Sequence, residues 1–297
     1  GLLRQTLIFF REPVKDRDLM GELLGGQSYF QCVEENLSYE QICLENQRET
    51  EWDKQRFDVL EEQTVETSAA VKQEEVKKQE DVRVEKLKKT KDSGYLLQNF
   101  YIVDSTTSVT KKQFQVEKLL GANMKLVKEP GKKQVLIYHT HAASEGFADS
   151  TKKESDSVIG VGDELTKALE KKGYGVIHDR TKYDLVQGRL DRSLAYNQAL
   201  ASVEKILQKN PSIQVVIDLH RDSVGKGKHT YTTINGKKCA IVMFFNGMSR
   251  SKNGPIPYLY NENLTDNLAF SLQLKCLAME RYPGFTKPIY LKGYRYN

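Results

Sequence analysis

Cysteine is too scarce and too scattered in this 297-residue chain to build a site of its own. Cys32, Cys43, Cys239 and Cys276 form no Cys-x-x-Cys pair and no zinc-ribbon spacing. Cys32 and Cys43 lie close enough to pair, but free thiols, buried or half-buried, are the expectation. Long apolar runs are missing too. The most apolar stretch at the start, Gly1–Phe10, carries Arg4 and lacks a cleavage-like end, so no window resembles a membrane span or a signal peptide. Because the chain opens on glycine, any targeting segment is expected upstream of it. No Gly-x-Ser-x-Gly elbow, Walker loop, Gly-x-Gly-x-x-Gly turn or His-Glu-x-x-His helix is present. Gly160-Val161-Gly162 precedes a helical pattern without the third glycine that a dinucleotide loop needs. Nucleophile-elbow hydrolases, P-loop enzymes and zincins are thereby excluded.

Histidine is scarce as well, and its placement is informative. Three of the five histidines sit at the ends of two β-branched apolar runs. One reads Val-Leu-Ile-Tyr-His-Thr-His-Ala-Ala-Ser-Glu over Val135–Glu145, and the other reads Val-Val-Ile-Asp-Leu-His-Arg-Asp over Val215–Asp222. Each is the pattern of a buried strand that delivers ligands to a sheet edge. Two histidines and a glutamate form the ligand set of a hydrolytic zinc site with a position left for water.

The net charge of +5 is mild, and it suits an anionic surface such as a cell wall, membrane or nucleic acid without selecting one. From about 49 to 91 the chain is rich in Glu, Lys and Gln and poor in large apolar residues. Such a stretch reads as a linker or a solvated helix. Its interleaved acidic residues argue against a nucleic-acid partner. Before it, 4–47 reads as two short helices. Domain organisation is therefore expected as an N-terminal helical region and charged linker over 1–94 and a globular domain over 95–297.

In the second part, Leu96–Asp104 has the length of a strand. Strands are expected at Val135–Tyr138, Tyr174–Ile177 and Val215–Leu219, with helices over Val158–Lys172, Leu190–Lys209 and Asn263–Arg281. Asn235-Gly236 suits a type I′ hairpin turn between Thr230–Ile234 and Cys239–Phe245. This alternation predicts an α/β fold, a central, mostly parallel twisted sheet flanked by helices, with an N-terminal helical and charged extension. Ligands bind such sheets at the carboxyl ends of the strands, where the histidines fall.

His139 and His141, two apart in extended backbone, would share a face. His141 is favoured as the ligand because it lies furthest past the apolar run, while His139 orients or lines the cleft. Glu145 can return a carboxylate to the same point, and His220 arrives from the second strand. A zinc ion held so would polarise a carbonyl and activate water. Asp222 or Asp218 could accept the non-ligating imidazole N–H, and Arg221 could pair with a carboxylate. His178 and His229 have no such constellation and are expected to be ordinary core or surface residues. Lys226 and Lys228 read as a solvated basic loop.

Tyr138-His-Thr-His141 with its following glutamate, Val161-Gly-Asp-Glu-Leu165 and Ile217-Asp-Leu-His-Arg-Asp222 closely resemble the stage II sporulation protein P family. Gln98-Asn-Phe-Tyr-Ile-Val-Asp104, Lys118-Leu-Leu-Gly121 and Tyr282-Pro-Gly284 extend the likeness from about Tyr95 onward. The resemblance implies a membrane-anchored, extracytoplasmic hydrolase of endospore formers, placed at the septum and the engulfing membrane. Its fold would be like that of zinc-dependent N-acetylmuramoyl-L-alanine amidases. Such an enzyme removes stem peptides from peptidoglycan, and also cuts peptide crosslinks, during engulfment of the forespore. It acts with stage II sporulation proteins D and M. His141 and His220 correspond to the ligand histidines, and Glu145 matches the glutamate after His-Thr-His at a slightly longer spacing. Glu154 competes with Glu145 for the third position. The general base is expected on a further strand beyond Asn297. A catalytically silent wall-binding scaffold is the alternative.

Overall fold

The protein is described as a computed structural model covering residues 5–10, 69–143, 153–192, 194–221 and 230–293. In chain order its strands are β1 (Gln5–Phe10), β2 (Tyr101–Val103), β3 (Val135–Tyr138), β4 (Val176–His178), β5 (Leu185–Val186), β6 (Arg189–Leu190), β7 (Val215–His220), β8 (Tyr231–Ile234), β9 (Lys237–Ala240), β10 (Phe244–Gly247), β11 (Arg250–Ser251), β12 (Gly254–Pro255) and β13 (Ile289–Lys292). Seven of them form one sheet in the order β2-β13-β10-β1-β7-β3-β4, and the others pair as small hairpins. Five of the six pairings in the main sheet are parallel. The exception is β1 against β7, where Gln5 lies opposite His220. The helices are α1 (Ala69–Thr90), α2 (Ser93–Phe100), α3 (Val116–Gly121), α4 (Val158–Lys171), α5 (Ala195–Lys209) and α6 (Leu264–Arg281). The class is mixed α/β, as the alternating pattern predicts.

Every residue of β3 and β7 is buried. A strand covered on both faces needs apolar side chains in both registers, which is why these segments read as continuous runs rather than alternations. Their side chains divide between two cores. Val135, Ile137, Val215, Ile217 and Leu219 join the larger core, with Val158 of α4 and Leu268 and Leu272 of α6. Leu136, Tyr138 and Val216 point the other way and pack with Ala195, Ala199 and Val203 of α5. The parallel register sets Val135 beside Val215 and Tyr138 beside Asp218, so β3 and β7 end at the same edge. Gly173, at φ +85°, closes α4 in the left-handed conformation that glycine adopts at low cost. Asn235 and Gly236, both at positive φ, form the tight turn between β8 and β9.

Two expectations are corrected. The run from Leu96 is not one strand: Ser93–Phe100 is a helix capped by Asp92, whose carboxylate accepts from the Gly94 N–H at 2.7 Å. Only Tyr101–Val103 is extended. Within the charged stretch, 69–90 is a helix that is neither linker nor fully solvated. Glu80, Val84 and Leu87 are buried, and Val84 and Leu87 enter the same core as Leu96 and Phe100. Their spacing is four and three residues, one narrow stripe. The Glu80 carboxylate accepts from the Gly284 N–H at 3.0 Å just beyond α6. This helix packs across the boundary drawn at residue 95. The two helices expected over 4–47, the possible Cys32–Cys43 pair and residues 49–68 lie outside the described residues, apart from the backbone of β1. Cys239 and Cys276 are free thiols, half-buried and buried. Among the described residues no helix is long and apolar enough to cross a membrane.

If α1 belongs to the core, Leu87→Ala should cost about 2–5 kcal/mol in urea unfolding. A change below about 0.5 kcal/mol, the usual scale of surface substitutions, would show that α1 is not part of the cooperative fold.

Candidate functional site

The site begins where β3 and β7 stop. β3 ends at Tyr138, and 141–143 form a turn, so the two-residue alternation of an extended strand is broken there. His139 and His141 therefore part company instead of sharing a face. The His139 ring lies against α4, whereas His141 packs edge-on against Tyr196 in the first turn of α5, with ring centroids 5.0 Å apart at 88°.

On the α5 side, the rings of His141 and His220 stand 5.4 Å apart at 61°. Both are almost fully buried, 5% and 4% exposed. Asp218, two residues before His220 and therefore on the same face of β7, links them. Its Oδ1 accepts from the Thr140 N–H at 3.0 Å, and its Oδ2 accepts from the Thr140 hydroxyl at 2.5 Å. Oδ2 also lies 2.8 Å from Nε2 of His220. Burial alone would raise this carboxyl. The nearby His220 and the hydrogen bonds from His220 and Thr140 outweigh it and hold the group below the usual carboxylate range.

Two imidazoles sharing a tetrahedral zinc at about 2.0–2.1 Å per Zn–N bond place their ring centres about 5 Å apart. The observed separation of His141 and His220 fits that requirement. Among the described residues no group of three His, Cys, Asp or Glu side chains is placed to hold a metal. Glu145 and Asp222 lie outside the described residues, as do Lys226, Lys228 and His229. Glu154 is engaged elsewhere. Its carboxylate accepts from Arg180 Nη2 at 2.5 Å and pairs with Lys182 Nζ at 3.1 Å, and these cations hold it below its ordinary range. Arg221 is half-buried directly after His220.

The α4 side holds a second histidine pair. His139 Nδ1 donates to the Leu219 carbonyl at 2.8 Å, and its Nε2 meets Nε2 of His178 at 2.8 Å. His178 Nδ1 in turn lies 3.0 Å from Asp163 Oδ1, which Arg180 approaches at 3.4 Å. Burial lowers His139 to about 4, so it is neutral near pH 7, and burial lowers His178 as well against the pull of Asp163. Both ends of this chain are acceptors. All three hydrogen bonds are made only when the two rings hold three protons between them, with Asp163 as counter-ion to the third. The expectation that His178 is an isolated residue is thus corrected. Its carboxylate partner lies fifteen residues away on a helix, and only the β3–α4–β4 crossover brings them together. Asp184 and Tyr196 carried no motif signal either, and Thr140, inside the His-Thr-His motif, was given no role.

The same packing explains Gly160-Val161-Gly162. A Cβ on Gly162 would lie 2.5 Å from His178 Nε2 and 2.9 Å from His139 Nε2, and one on Gly160 would lie 2.1 Å from the Ser155 carbonyl oxygen. Gly162 lets α4 approach the histidine pair, and Gly160 lets it approach the Ser155 backbone. Gly162→Ala should therefore cost about 1–3 kcal/mol by overpacking and split the His139–His178 bond. Urea unfolding and imidazole nitrogen NMR read both effects, and unchanged ring-nitrogen shifts would refute the contact.

Comparison with known proteins places the sequence in a family. The sequence profile described as stage II sporulation protein P matches residues 21–297. Stage II sporulation protein P of Bacillus subtilis (strain 168) is 31% identical over 176 residues, covering 54% of this chain and 40% of that protein. The chain thus spans well under half the length of the curated relative. No solved structure matches it. With a family match running over residues 21–297, and with β3 and β7 inside it, the chain belongs to the stage II sporulation protein P family.

Proposed function

We propose that the protein is a zinc-dependent peptidoglycan hydrolase of sporulation, with an amidase-like arrangement of its sheet. It cleaves the amide between the lactyl group of N-acetylmuramic acid and L-alanine, and also stem-peptide crosslinks. The observation that carries this reading is the buried His141–His220 pair at the shared edge of β3 and β7, with Asp218 facing one of its rings. The membership in a sporulation family supports the cellular role.

In this reading His141 and His220 would hold the zinc, and Glu145, four residues further along the chain, would complete the ligand set. When bound, the ion supplies Lewis-acid activation of water and of the scissile carbonyl. Asp218 stands 2.8 Å from His220 Nε2 as a charge partner and anchors the His141 turn through Thr140. Arg221, half-buried beside His220, pairs with a carboxylate of the stem peptide. Such peptides carry several carboxylates, and a planar guanidinium fork binds one in two-point fashion. Asp222 offers a second acidic group next to the arginine. Stage II sporulation proteins D and M are the proposed partners, with the enzyme anchored to the engulfing membrane on its outer side.

His141→Ala and His220→Ala should each lower bound zinc from about one ion per chain to below about 0.1, since each removes one of few ligands. Metal analysis after gel filtration reads this directly. Retention of full zinc by both variants would remove the site. Purified sacculi digested with the full chain, with and without a chelator, should release stem peptides only in the untreated arm, as seen by mass spectrometry of the products. Sacculus binding without any chelator-sensitive release would instead identify a wall-binding scaffold.

A further inference from the structure

His141 lies three residues beyond the last paired position of β3, on a turn. A ligand ring in such a place keeps its direction only if its surroundings fix it. One side of the turn is gripped by Asp218 through Thr140. The other side meets the segment that runs from Tyr183 through the β5–β6 hairpin into α5.

Two residues of that segment reach the turn. Asp184, fully buried, accepts from the Ala143 N–H at 2.8 Å, two residues after His141. The Asp191 N–H donates to the Asp184 carbonyl at 2.8 Å, so the hairpin closes back on the residue that holds the turn. Tyr196, half-buried in the first turn of α5, sets its ring perpendicular to the His141 imidazole, with centroids 5.0 Å apart. Perpendicular ring pairs at 4.5–7 Å are attractive and directional. The backbone of Tyr196 is itself fixed, because Ala195, Ala199 and Val203 of the same helix pack on Leu136, Tyr138 and Val216. His141 is therefore held between His220 on one side and Tyr196 on the other.

We propose that Tyr196 is a positioning residue of this centre. Its aromatic ring holds the His141 imidazole at the tilt needed to share an ion with His220, while Asp184 holds the turn behind it. The inference rests on the zinc reading above and assigns the work to the ring of Tyr196, not to its hydroxyl. An aromatic pair of this kind is worth roughly two- to tenfold in an equilibrium constant. Tyr196→Leu should accordingly weaken zinc binding by about that factor, Asp184→Ala should weaken it too, and Tyr196→Phe should leave it unchanged.

The test uses the full chain in two measurements, with circular dichroism confirming the fold of each variant. Competition with a chromogenic chelator gives the zinc affinity. Imidazole NMR of the metal-free chain gives the ring-current shift that Tyr196 imposes on the carbon-bound protons of His141. Affinity and shift both retained in Tyr196→Phe and both lost in Tyr196→Leu support the proposal. Parental affinity in a folded Tyr196→Leu overturns it, and so does a Tyr196→Phe that loses as much as Tyr196→Leu. Absence of the shift in the parent chain overturns it without any variant. If instead the parent and His141→Ala bind zinc equally, the zinc reading fails by itself, and the NMR pattern alone then decides whether Tyr196 orients His141.

Discussion

The carboxylate of Asp218 is the group on which both halves of the candidate site depend. It is buried between two parallel strands, where an ionised group survives only if its lone pairs are filled. A backbone N–H and a hydroxyl from Thr140, on the turn after β3, donate to it, and the ring of His220 on its own strand stands 2.8 Å away. One buried charge thus ties the His141 turn to the end of β7. The penalty of burying it is offset only when all of these partners are in place, so the turn cannot move away from the strand without leaving a bare carboxylate behind.

The sheet then separates two tasks. On its α5 face, His141 and His220 lie close enough to share an ion, with Tyr196 against one of them. On its α4 face, His139 and His178 bond to each other, and His139 also bonds to the carbonyl of Leu219, the residue before His220. The second pair has no room for a metal of its own: the backbone of Gly162 lies so close that even a methyl group would collide with both Nε2 atoms. It touches the first pair only through the bond from His139 to the Leu219 carbonyl on β7. Four histidines at or just past three strand ends thereby form two different pairs, and the fold decides which joins which.

Much of this was legible in the order of residues. The apolar runs of β3 and β7 are long enough to be read as doubly covered strands. The helix over 158–171 shows its apolar stripe, and the Asn-Gly turn is explicit. The pairing of His141 with His220 followed from both lying just past such runs. Less legible were α1 and α2. In α1 only Val84 and Leu87 are apolar and fully buried within the packed stripe, too few to stand out among lysines and glutamates. Leu96–Val103 is apolar apart from Gln98 and Asn99, so composition alone could not show that its first part is a helix started by Asp92. Residues 144–152 and 222–229, where Glu145 and Asp222 lie, fall outside the described residues.

What the sequence by itself determined is local: which segments are buried on both sides, where they stop, and that histidine and carboxylate gather at those ends. Only the tertiary structure decided that His139 and His141 face opposite ways, because a turn begins right after β3 and breaks the alternation that an extended strand would impose. Only it gave His178 a carboxylate, Asp163, and gave His141 a neighbour in Tyr196. Such partners are separated by 15 and 55 residues of chain, and no local pattern encodes them. They meet because the crossovers carrying α4 and α5 pack on opposite faces of one sheet, a consequence of burying two apolar surfaces at once.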